Sequence, residues 1–346
     1  MNKSIKQIYP EAGISRHAAL PIIDQFERTF NYLRIAINEQ CNLHCIYCMP
    51  EEGIAFRKEE KLLSTNEIKR VLTIVAKMGV NKIRFTGGEP LLRSDLIELI
   101  QFANDQKGVR STHITTNGLL LRKNIYQLEA AGLSGINISL DTLDRTKFKK
   151  ITRRDGLQSV LDGIDAALDS AVPYIKINVV ALREFNDDEL LDFAAFTKDH
   201  PVTVRFIELM PFDAHQIWKT GKFYGAEKIV SDLKKLNGEL ETAEGSRTEH
   251  HIFKIKGHKG KIAVIPAYTR SLCGQCNCIR ITADGKLMNC LYSHEEMNIR
   301  DTLRGGAAKK GIEKMIRSSI WKKPIDGWTA QKIGKDSRES MTQIGG

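Results

Sequence analysis

Six of the seven cysteines fall into two widely separated sets, each with three thiols close together along the chain. The two sets are Cys41-x3-Cys45-x2-Cys48 and Cys273-x2-Cys276-x13-Cys290. Zinc sites usually combine paired Cys-x2-Cys groups into four ligands, whereas three thiolates suit an iron–sulfur cluster that leaves one iron open. His44 is the alternative fourth ligand for zinc, but it lies between two cysteines of a tight loop, where its reach is awkward. The spacing therefore favours iron–sulfur chemistry, and the odd cysteine count argues against a disulfide framework.

Strands and helices must position these thiols. Short runs rich in β-branched residues predict the strands, and these runs alternate with segments of helical periodicity. The predicted strands cover residues 32–37, 82–86, 111–115, 135–140, 174–180 and 202–208. Ser64 and Glu67 form a capping box at the start of one helix, and residues 157–168 predict another. Six alternations predict a parallel sheet with helices outside it, although periodicity does not separate an open sheet from a partial barrel.

A different organisation is expected after Glu208, where the alternation stops. Residues 251–266 predict a β-hairpin, followed by the second cysteine set, a helix near residues 310–320 and a polar tail. The change places a domain boundary near residues 210–221. The expected division is an N-terminal arm (residues 1–30), a core (residues 31–212) and a C-terminal extension (residues 213–346).

Two glycines, Gly87 and Gly88, close the second predicted strand within Thr86-Gly-Gly-Glu-Pro90, and they indicate close backbone approach by another group. Together with the three cysteines after the first strand, this run resembles the signature of the radical S-adenosylmethionine superfamily. The resemblance implies a partial (βα)6 TIM-like barrel and a 4Fe-4S cluster whose open iron binds S-adenosylmethionine. The implied cluster ligands are Cys41, Cys45 and Cys48, and the implied S-adenosylmethionine contacts are Tyr47, Gly88, Ser139 and Met210.

The second cysteine set and the terminal Gly345-Gly346 narrow the resemblance to the GTP-cyclising family of molybdenum cofactor biosynthesis. The resemblance covers the chain from about Leu33 onward, including residues 82–92 and 273–291. It implies a C-terminal α+β extension with a second 4Fe-4S cluster on Cys273, Cys276 and Cys290, whose open iron binds the guanine ring. In the implied reaction an adenosyl radical removes the C3′ hydrogen of GTP, and C3′ attacks C8. Reduction then gives (8S)-3′,8-cyclo-7,8-dihydroguanosine 5′-triphosphate.

Cations at or near strand ends and cysteine loops fit a triphosphate substrate: Arg34, Lys82, Arg84, Lys176, Arg205 and Arg280. Guanidinium and ammonium groups bind phosphate oxygens by charge-assisted hydrogen bonds, and without a Walker A loop ordinary phosphoryl transfer is disfavoured. Family matching implies GTP contacts at Arg34, Arg84, Thr115, Lys176 and Arg280, and catalytic roles for Arg34, Gly345 and Gly346. Further expected partners are an external one-electron donor and a cyclic pyranopterin monophosphate synthase that takes the product. A homodimer is also possible from the sequence.

Cys278 departs from the family pattern, which has Cys-x2-Cys-[Asn/Thr]-Arg-x-Arg with both arginines reaching substrate. This chain has Cys273-Gly-Gln-Cys276-Asn-Cys278-Ile-Arg280. A fourth thiolate would either occupy the iron meant for guanine or complete a zinc site. We expect instead that Cys278 does not ligate the cluster. The alternatives are another auxiliary-cluster radical S-adenosylmethionine enzyme, such as a peptide-modifying maturase, and an inactive metal-binding relative.

The amino-acid composition limits the classes of protein to which the chain can belong. The chain has 346 residues, of which 42% are hydrophobic and 27% charged, which suits roughly two globular domains. No stretch approaches the ~18 apolar residues of a membrane span, and the first 20 residues hold no apolar segment. We therefore expect no membrane association and a cytoplasmic location. The net charge of +10 favours anionic partners, but no nucleic-acid-binding signature accompanies it, so nucleic acid is not expected.

Overall fold

The computed structural model describes residues 20–210, 221–236, 240–244, 251–269, 273–333 and 340–345, and every structural statement below concerns these residues. The expected domain boundary near residues 210–221 falls mostly on residues outside this set. Gly346 also lies outside the described residues.

The core is a run of six parallel strands, and each matches a strand expected from the sequence to within one residue at either end. The strands are β1 (Tyr32–Ala36), β2 (Lys82–Thr86), β3 (Ser111–Thr116), β4 (Gly135–Ser139), β5 (Tyr174–Ala181) and β6 (Thr203–Glu208). They pair in chain order, so that the carboxyl ends of all six strands lie at one edge of the sheet.

Helices follow or separate these strands as the βα alternation requires. They are α1 (Thr65–Lys77), α2 (Leu96–Asn104), α3 (Leu121–Ala130), α4 (Arg145–Thr152), α5 (Leu157–Leu168), α6 (Leu190–Ala195) and α7 (Ala226–Leu236). The expected capping box is present at α1, where the Ser64 hydroxyl accepts the Glu67 N–H at 3.3 Å and the Glu67 carboxylate accepts the Ser64 N–H at 2.8 Å. Such a cap satisfies two backbone donors that the first helical turn leaves open.

The two faces of the parallel strands differ in polarity. Side chains such as Leu33, Ile35 and Phe85 point toward the helices and are fully buried. The alternate positions on the other face carry polar groups, among them Arg34 and Arg84, which line a cavity. Because side chains alternate along a strand, one face supplies the core and the other is free to bind a polar molecule.

The C-terminal part of the chain extends the same sheet at both edges. Its elements are β7 (Leu240–Thr242), β8 (Ile252–Ile255), β9 (Lys261–Ile265), β10 (Cys278–Ile281), β11 (Lys286–Met288), β12 (Glu296–Asn298), α8 (Ile299–Arg304), α9 (Lys309–Trp321) and α10 (Gly327–Gln331). The strand order is β12-β11-β10-β1-β2-β3-β4-β5-β6-β9-β8-β7. The expected β-hairpin is confirmed as β8 and β9, and the expected helix as α9.

Two parallel pairings join the extension to the core. Strand β9 lies beside β6, and β10 lies beside β1 with Arg280 opposite Arg34. Strand β10 lies between Cys276 and Cys290 in the chain, and β1 leads to Cys41. Their pairing therefore brings the second cysteine set beside the strand that precedes the first set. No helix in the described parts of the chain has both the length and the apolar character needed to cross a bilayer.

Candidate active site

A cavity of about 500 Å³ lies on the polar face of the sheet. It runs from residues at the carboxyl ends of the core strands, such as Gly88 and Ser139, to the residues that begin β1 and β2, Tyr32 and Lys82. Its volume is in the usual range for a small-molecule site. Sixteen of the seventeen site residues expected from the sequence fall within the described part of the chain, and fifteen of those sixteen line this cavity: Arg34, Cys41, Cys45, Tyr47, Cys48, Arg84, Gly88, Thr115, Ser139, Lys176, Met210, Cys273, Cys276, Arg280 and Cys290. The remaining described residue, Gly345, lies beside Ala36 and Thr86, the last residues of β1 and β2.

The first cysteine loop follows β1 and turns tightly at Cys45, whose carbonyl accepts the N–H groups of Cys48 at 2.8 Å and Met49 at 3.0 Å. The Cys41 sulfur receives the Leu43 N–H at 3.5 Å and the Asn117 side-chain amide at 3.7 Å. Donors aimed at a sulfur suit a thiolate that carries negative charge on a metal.

Burial dominates the acidity of these thiols. It raises the pKa of Cys48 to about 12 and raises the pKa of Cys45 well above its ordinary value. Within the described residues, no three His, Cys, Asp or Glu side chains meet closely enough for a single metal ion. A 4Fe-4S cluster places each thiolate on a separate iron atom, so its ligands need not meet at one point.

The paired glycines are required by the cysteine loop itself. A Cβ on Gly88 would lie 2.1 Å from the carbonyl oxygen of Gln40, and a Cβ on Gly87 would lie 2.4 Å from that of Asn38. The Glu89 N–H also donates to the Gln40 carbonyl at 2.7 Å. The close backbone approach expected from the sequence is therefore confirmed, and the approaching group is the chain just before Cys41.

Two buried carboxylates that the sequence did not single out hold this region in place. Glu89 accepts the Thr116 hydroxyl at 2.8 Å and the Asn117 N–H at 2.7 Å, and burial raises its pKa to about 7. Asp141 accepts the Tyr47 hydroxyl at 2.6 Å and the Val180 N–H at 2.8 Å, and burial raises its pKa to about 6. Glu89 lies within the Thr86-Gly-Gly-Glu-Pro90 run that carries the family resemblance, and this motif was the available signal.

The C-terminal tail packs onto the first cysteine loop. The Cys48 carbonyl accepts the Ser340 hydroxyl at 2.8 Å and the Met341 N–H at 3.1 Å. Gly345 has a φ of +71°, and a Cβ there would lie 2.8 Å from Thr86 and 2.9 Å from Ala36. Residues 342–345 are buried, so the expected polar tail ends as a packed segment inside the site.

Two other parts of the chain hold Cys273 of the second cysteine set. The Gly327 N–H donates to the Cys273 sulfur at 3.3 Å, and the Arg28 guanidinium donates to the Cys273 carbonyl at 2.8 Å. Cys276 lies between this point and β10. Burial acts to raise the pKa of Cys276, but the positive charge of Lys323, with smaller contributions from neighbouring donors and arginines, lowers it below its ordinary value.

Cationic side chains from adjacent strands form one wall of the cavity. Arg84 donates to the Tyr32 hydroxyl at 2.6 Å and to the Thr115 hydroxyl at 3.3 Å. Burial, and then the charge of Arg280, lowers the pKa of Arg34 to about 10. The Nη1 atom of Arg280 is buried and has no hydrogen-bond partner among the described residues. Like charges held this close in a buried wall suit an anionic ligand.

Cys278 lies on β10 opposite Tyr32 in register and lines the same cavity. Burial raises the pKa of its thiol, while the charges of Arg280 and Arg34 oppose that rise. The seventh thiol therefore faces the cationic wall, where the family pattern has an arginine.

Sequence comparison agrees with this arrangement. The chain matches the Radical SAM superfamily over residues 35–197 and the Molybdenum Cofactor Synthesis C family over residues 202–327. The crystal structure of Streptococcus suis SuiB bound to S-adenosylmethionine has the same fold, with a TM-score of 0.57 and 15% identity over 90% of this chain and 71% of that one. The fold and the three-thiol loop thus define a radical S-adenosylmethionine protein.

Full-length relatives identify the family within that class. The chain is 43% identical over 327 residues to GTP 3′,8-cyclase of Chlorobaculum tepidum, covering 94% of this chain and 98% of that protein. It is 39% identical to the mitochondrial GTP 3′,8-cyclase of Arabidopsis thaliana, covering 94% and 83%. It is 42% identical to human molybdenum cofactor biosynthesis protein 1, covering 87% of this chain but 48% of that longer protein. The chain belongs to the GTP 3′,8-cyclase family.

Proposed function

We propose that this chain converts GTP to (8S)-3′,8-cyclo-7,8-dihydroguanosine 5′-triphosphate, the first step of molybdenum cofactor biosynthesis. The observation that carries the proposal is that two three-thiol sets and a cationic wall line a single cavity. One set suits the radical chemistry of the superfamily, and the other gives the substrate base a separate anchoring point. The cationic wall is formed by Arg280 on β10, Arg34 on β1 and Arg84 on β2, and its positive charge suits the triphosphate.

The donor sets fit the cofactors of this family, which are two 4Fe-4S clusters and S-adenosylmethionine. Cys41, Cys45 and Cys48 would hold the first cluster, and Cys273, Cys276 and Cys290 the second. When bound, the first cluster and S-adenosylmethionine supply the one-electron chemistry that starts the reaction. Tyr47, Gly88, Ser139 and Met210 would hold S-adenosylmethionine, and Asp141 would fix the Tyr47 ring by accepting its hydroxyl.

The remaining roles belong to the chain's own side chains. Arg34, Arg84, Lys176 and Arg280 would bind the triphosphate oxygens, and Thr115 would add a hydroxyl contact beside Arg84. The buried tail around Gly345 would press against the reacting ribose and exclude water and competing hydrogen donors. In GTP the C3′–H bond is lost and the C3′–C8 bond forms, while the C8–N7 double bond becomes a single bond. The hydrogen atom from C3′ leaves with 5′-deoxyadenosine, and uptake of one electron and one proton places a hydrogen on N7.

The finer partner and location assignments are also proposals. An external one-electron donor is required by the stoichiometry, and the cyclised triphosphate is the substrate expected for a cyclic pyranopterin monophosphate synthase. The described cysteines are all free thiols, which suits the reducing cytoplasm. We retain the division into an arm, a core to residue 212 and an extension, with the qualification that Arg28 of the arm contacts the second cysteine set.

The test is an anaerobic reaction of the iron-loaded chain with GTP, S-adenosylmethionine and dithionite. GTP labelled with deuterium at C3′ should transfer the label into 5′-deoxyadenosine and yield the cyclised triphosphate. Cleavage of S-adenosylmethionine without label transfer, or no binding of GTP, would contradict the proposal. The second result would favour an inactive relative, and consumption of a peptide instead would favour a maturase.

A further inference from the structure

Lys323 is a buried cation beside the second cysteine set. It lies just after α9, is 3% exposed, and lines the same cavity as Cys273, Cys276 and Cys290. Its ammonium group donates to the main-chain carbonyl of Asn289, the residue that precedes Cys290. It also lies 5.5 Å from the centre of the Phe30 ring. None of the roles assigned above uses this side chain.

The charge of Lys323 is not balanced by a carboxylate. Within the described residues its ammonium has a carbonyl and an aromatic ring as neighbours, but no Asp or Glu within ion-pair distance. Arg28, on the same side of the site, differs in this respect, because its Nε lies 2.6 Å from the Asp24 carboxylate. Burying an ammonium group without a carboxylate partner is strongly unfavourable, so the arrangement indicates an anion that binds nearby.

The backbone around Lys323 is tied to the cysteines, so the side chain is held where it is. Arg28 donates to the carbonyls of Pro324 at 2.7 Å and Ile325 at 2.8 Å, and to the Cys273 carbonyl at 2.8 Å. Gly327, four residues after Lys323, donates its N–H to the Cys273 sulfur. The segment that carries Lys323 and the loop that carries Cys273 therefore form one hydrogen-bonded unit.

We propose that Lys323 is the positive counter-charge of the second iron–sulfur cluster and raises its reduction potential. This rests on the proposed ligands Cys273, Cys276 and Cys290. The thiolate and sulfide ligands of such a cluster outweigh the charge of its iron atoms, and reduction adds a further negative charge. A cation held nearby, out of water, stabilises the reduced form more than the oxidised form. Lys323 acts through the cluster and is a positioning residue, not a catalytic one.

The test compares Lys323→Met with Lys322→Met in the full iron-loaded chain. Lys322 is the exposed neighbour, so its variant makes the same chemical change without altering the buried charge. Redox titration followed by electron paramagnetic resonance should show one midpoint shifted to a more negative value in Lys323→Met. We expect at least a tenfold change in the ratio of reduced to oxidised cluster, about 59 mV for one electron. The other midpoint, and both midpoints of Lys322→Met, should match wild type.

Lys323→Arg separates charge from packing, because it keeps the cation. We expect it to restore the shifted midpoint toward the wild-type value. Equal shifts in Lys323→Met and Lys323→Arg, or no shift in Lys323→Met, would overturn the proposal. If Lys323→Met loses the second cluster while Lys323→Arg keeps it, the counter-charge role is also supported; loss from both variants overturns it. Wild-type protein with only one cluster would instead refute the proposed ligands.

Discussion

Burial raises the pKa of five of the seven thiols, those of Cys41, Cys45, Cys48, Cys273 and Cys278. A buried thiol of this kind stays protonated until a metal displaces the proton. The pKa of Cys276 is lowered instead, because the charge of Lys323 and smaller neighbouring effects outweigh its burial. At the scale of single residues, Cys276 therefore lies in different electrostatic surroundings from the three thiols of the first set.

Cys45→Ala should abolish 5′-deoxyadenosine formation while the fold survives, because two thiolates cannot hold a cluster with a single open iron. Iron content should fall from about eight to about four per chain. Chromatographic assay of 5′-deoxyadenosine and iron analysis measure both effects. Cys278→Ala is the matched control and should keep both the iron and the cleavage of S-adenosylmethionine. Full cleavage by Cys45→Ala would contradict the first-cluster assignment.

Cys278→Arg should tighten GTP binding. The thiol faces the cationic wall on β10 but is much shorter than an arginine, so it stops short of a phosphate. Regaining one charge-assisted hydrogen bond is worth about 1.5–3 kcal/mol. Anaerobic calorimetry with GTP measures the change, and iron should stay near eight per chain. If wild type instead holds zinc and the variant gains a second cluster, then Cys278 is a metal ligand.

At the scale of elements, the site depends on backbones that approach closely. The Gly87–Gly88 pair packs against the chain before Cys41, and the tail packs against β1 and β2. The tail also donates two hydrogen bonds to the Cys48 carbonyl. The segment proposed to press on the substrate is thus anchored to the first cysteine loop.

Gly345→Ala should lower GTP cyclisation by at least about tenfold and leave uncoupled S-adenosylmethionine cleavage largely intact, since a Cβ displaces the tail from Thr86 and Ala36. Product analysis of both reactions measures the split. Gly306→Ala is the matched control, because Gly306 has a similar φ of +77° but open space around it. Equal loss of the two activities in Gly345→Ala would indicate misfolding, and no loss would make the tail dispensable.

At the scale of the whole molecule, one sheet carries both halves of the site. The C-terminal extension adds β9 beside β6 and β10 beside β1. Residues of the core and residues of the extension therefore line the same polar face of the sheet. The same face holds Arg84, which is buried, and several half-buried cations, and the folded protein must tolerate their mutual repulsion. His113 on β3 is affected by these positive charges. Its burial, and then the charges of Arg84 and Lys82, lower its pKa to about 2.

His113 should make the folded protein acid-sensitive. In the unfolded chain its pKa is about 6.5, so below that pH the unfolded state binds a proton that the folded state excludes. Stability is therefore lost as pH falls below about 6.5, by about 1 kcal/mol per pH unit from this group. Denaturant unfolding of wild type and His113→Asn at about pH 7.5 and about pH 5.5 measures the effect.

The expected result is a smaller loss of stability on acidification for His113→Asn than for wild type. His251→Asn is the control, because His251 is exposed. It should show the wild-type pH dependence. The same acid-induced loss in His113→Asn and wild type would mean that His113 protonates freely in the folded state.

The sequence by itself determined the six core strands, three of the helices (α1, α5 and α9) and the cysteine sets. These follow from local rules: a two-residue alternation, a helical period, a capping box at Ser64, and thiols spaced a few residues apart. The spacing of the cysteines and the motif at Gly87–Gly88 also carry the resemblance to the family. Boundaries agreed to within one residue because strand ends coincide with changes in hydrophobic pattern.

Tertiary structure alone decided how the distant parts meet. The pairing of β10 with β1 joins residues 246 positions apart, and no local pattern encodes which edge a strand will choose. The carboxylates of Glu89 and Asp141 gained their roles only through partners brought in from other elements. Lys323 likewise looks like one of several lysines in a basic stretch. Its burial beside Cys276 depends on the packing of the segment after α9, because burial is a property of the assembled fold and not of the sequence around a residue.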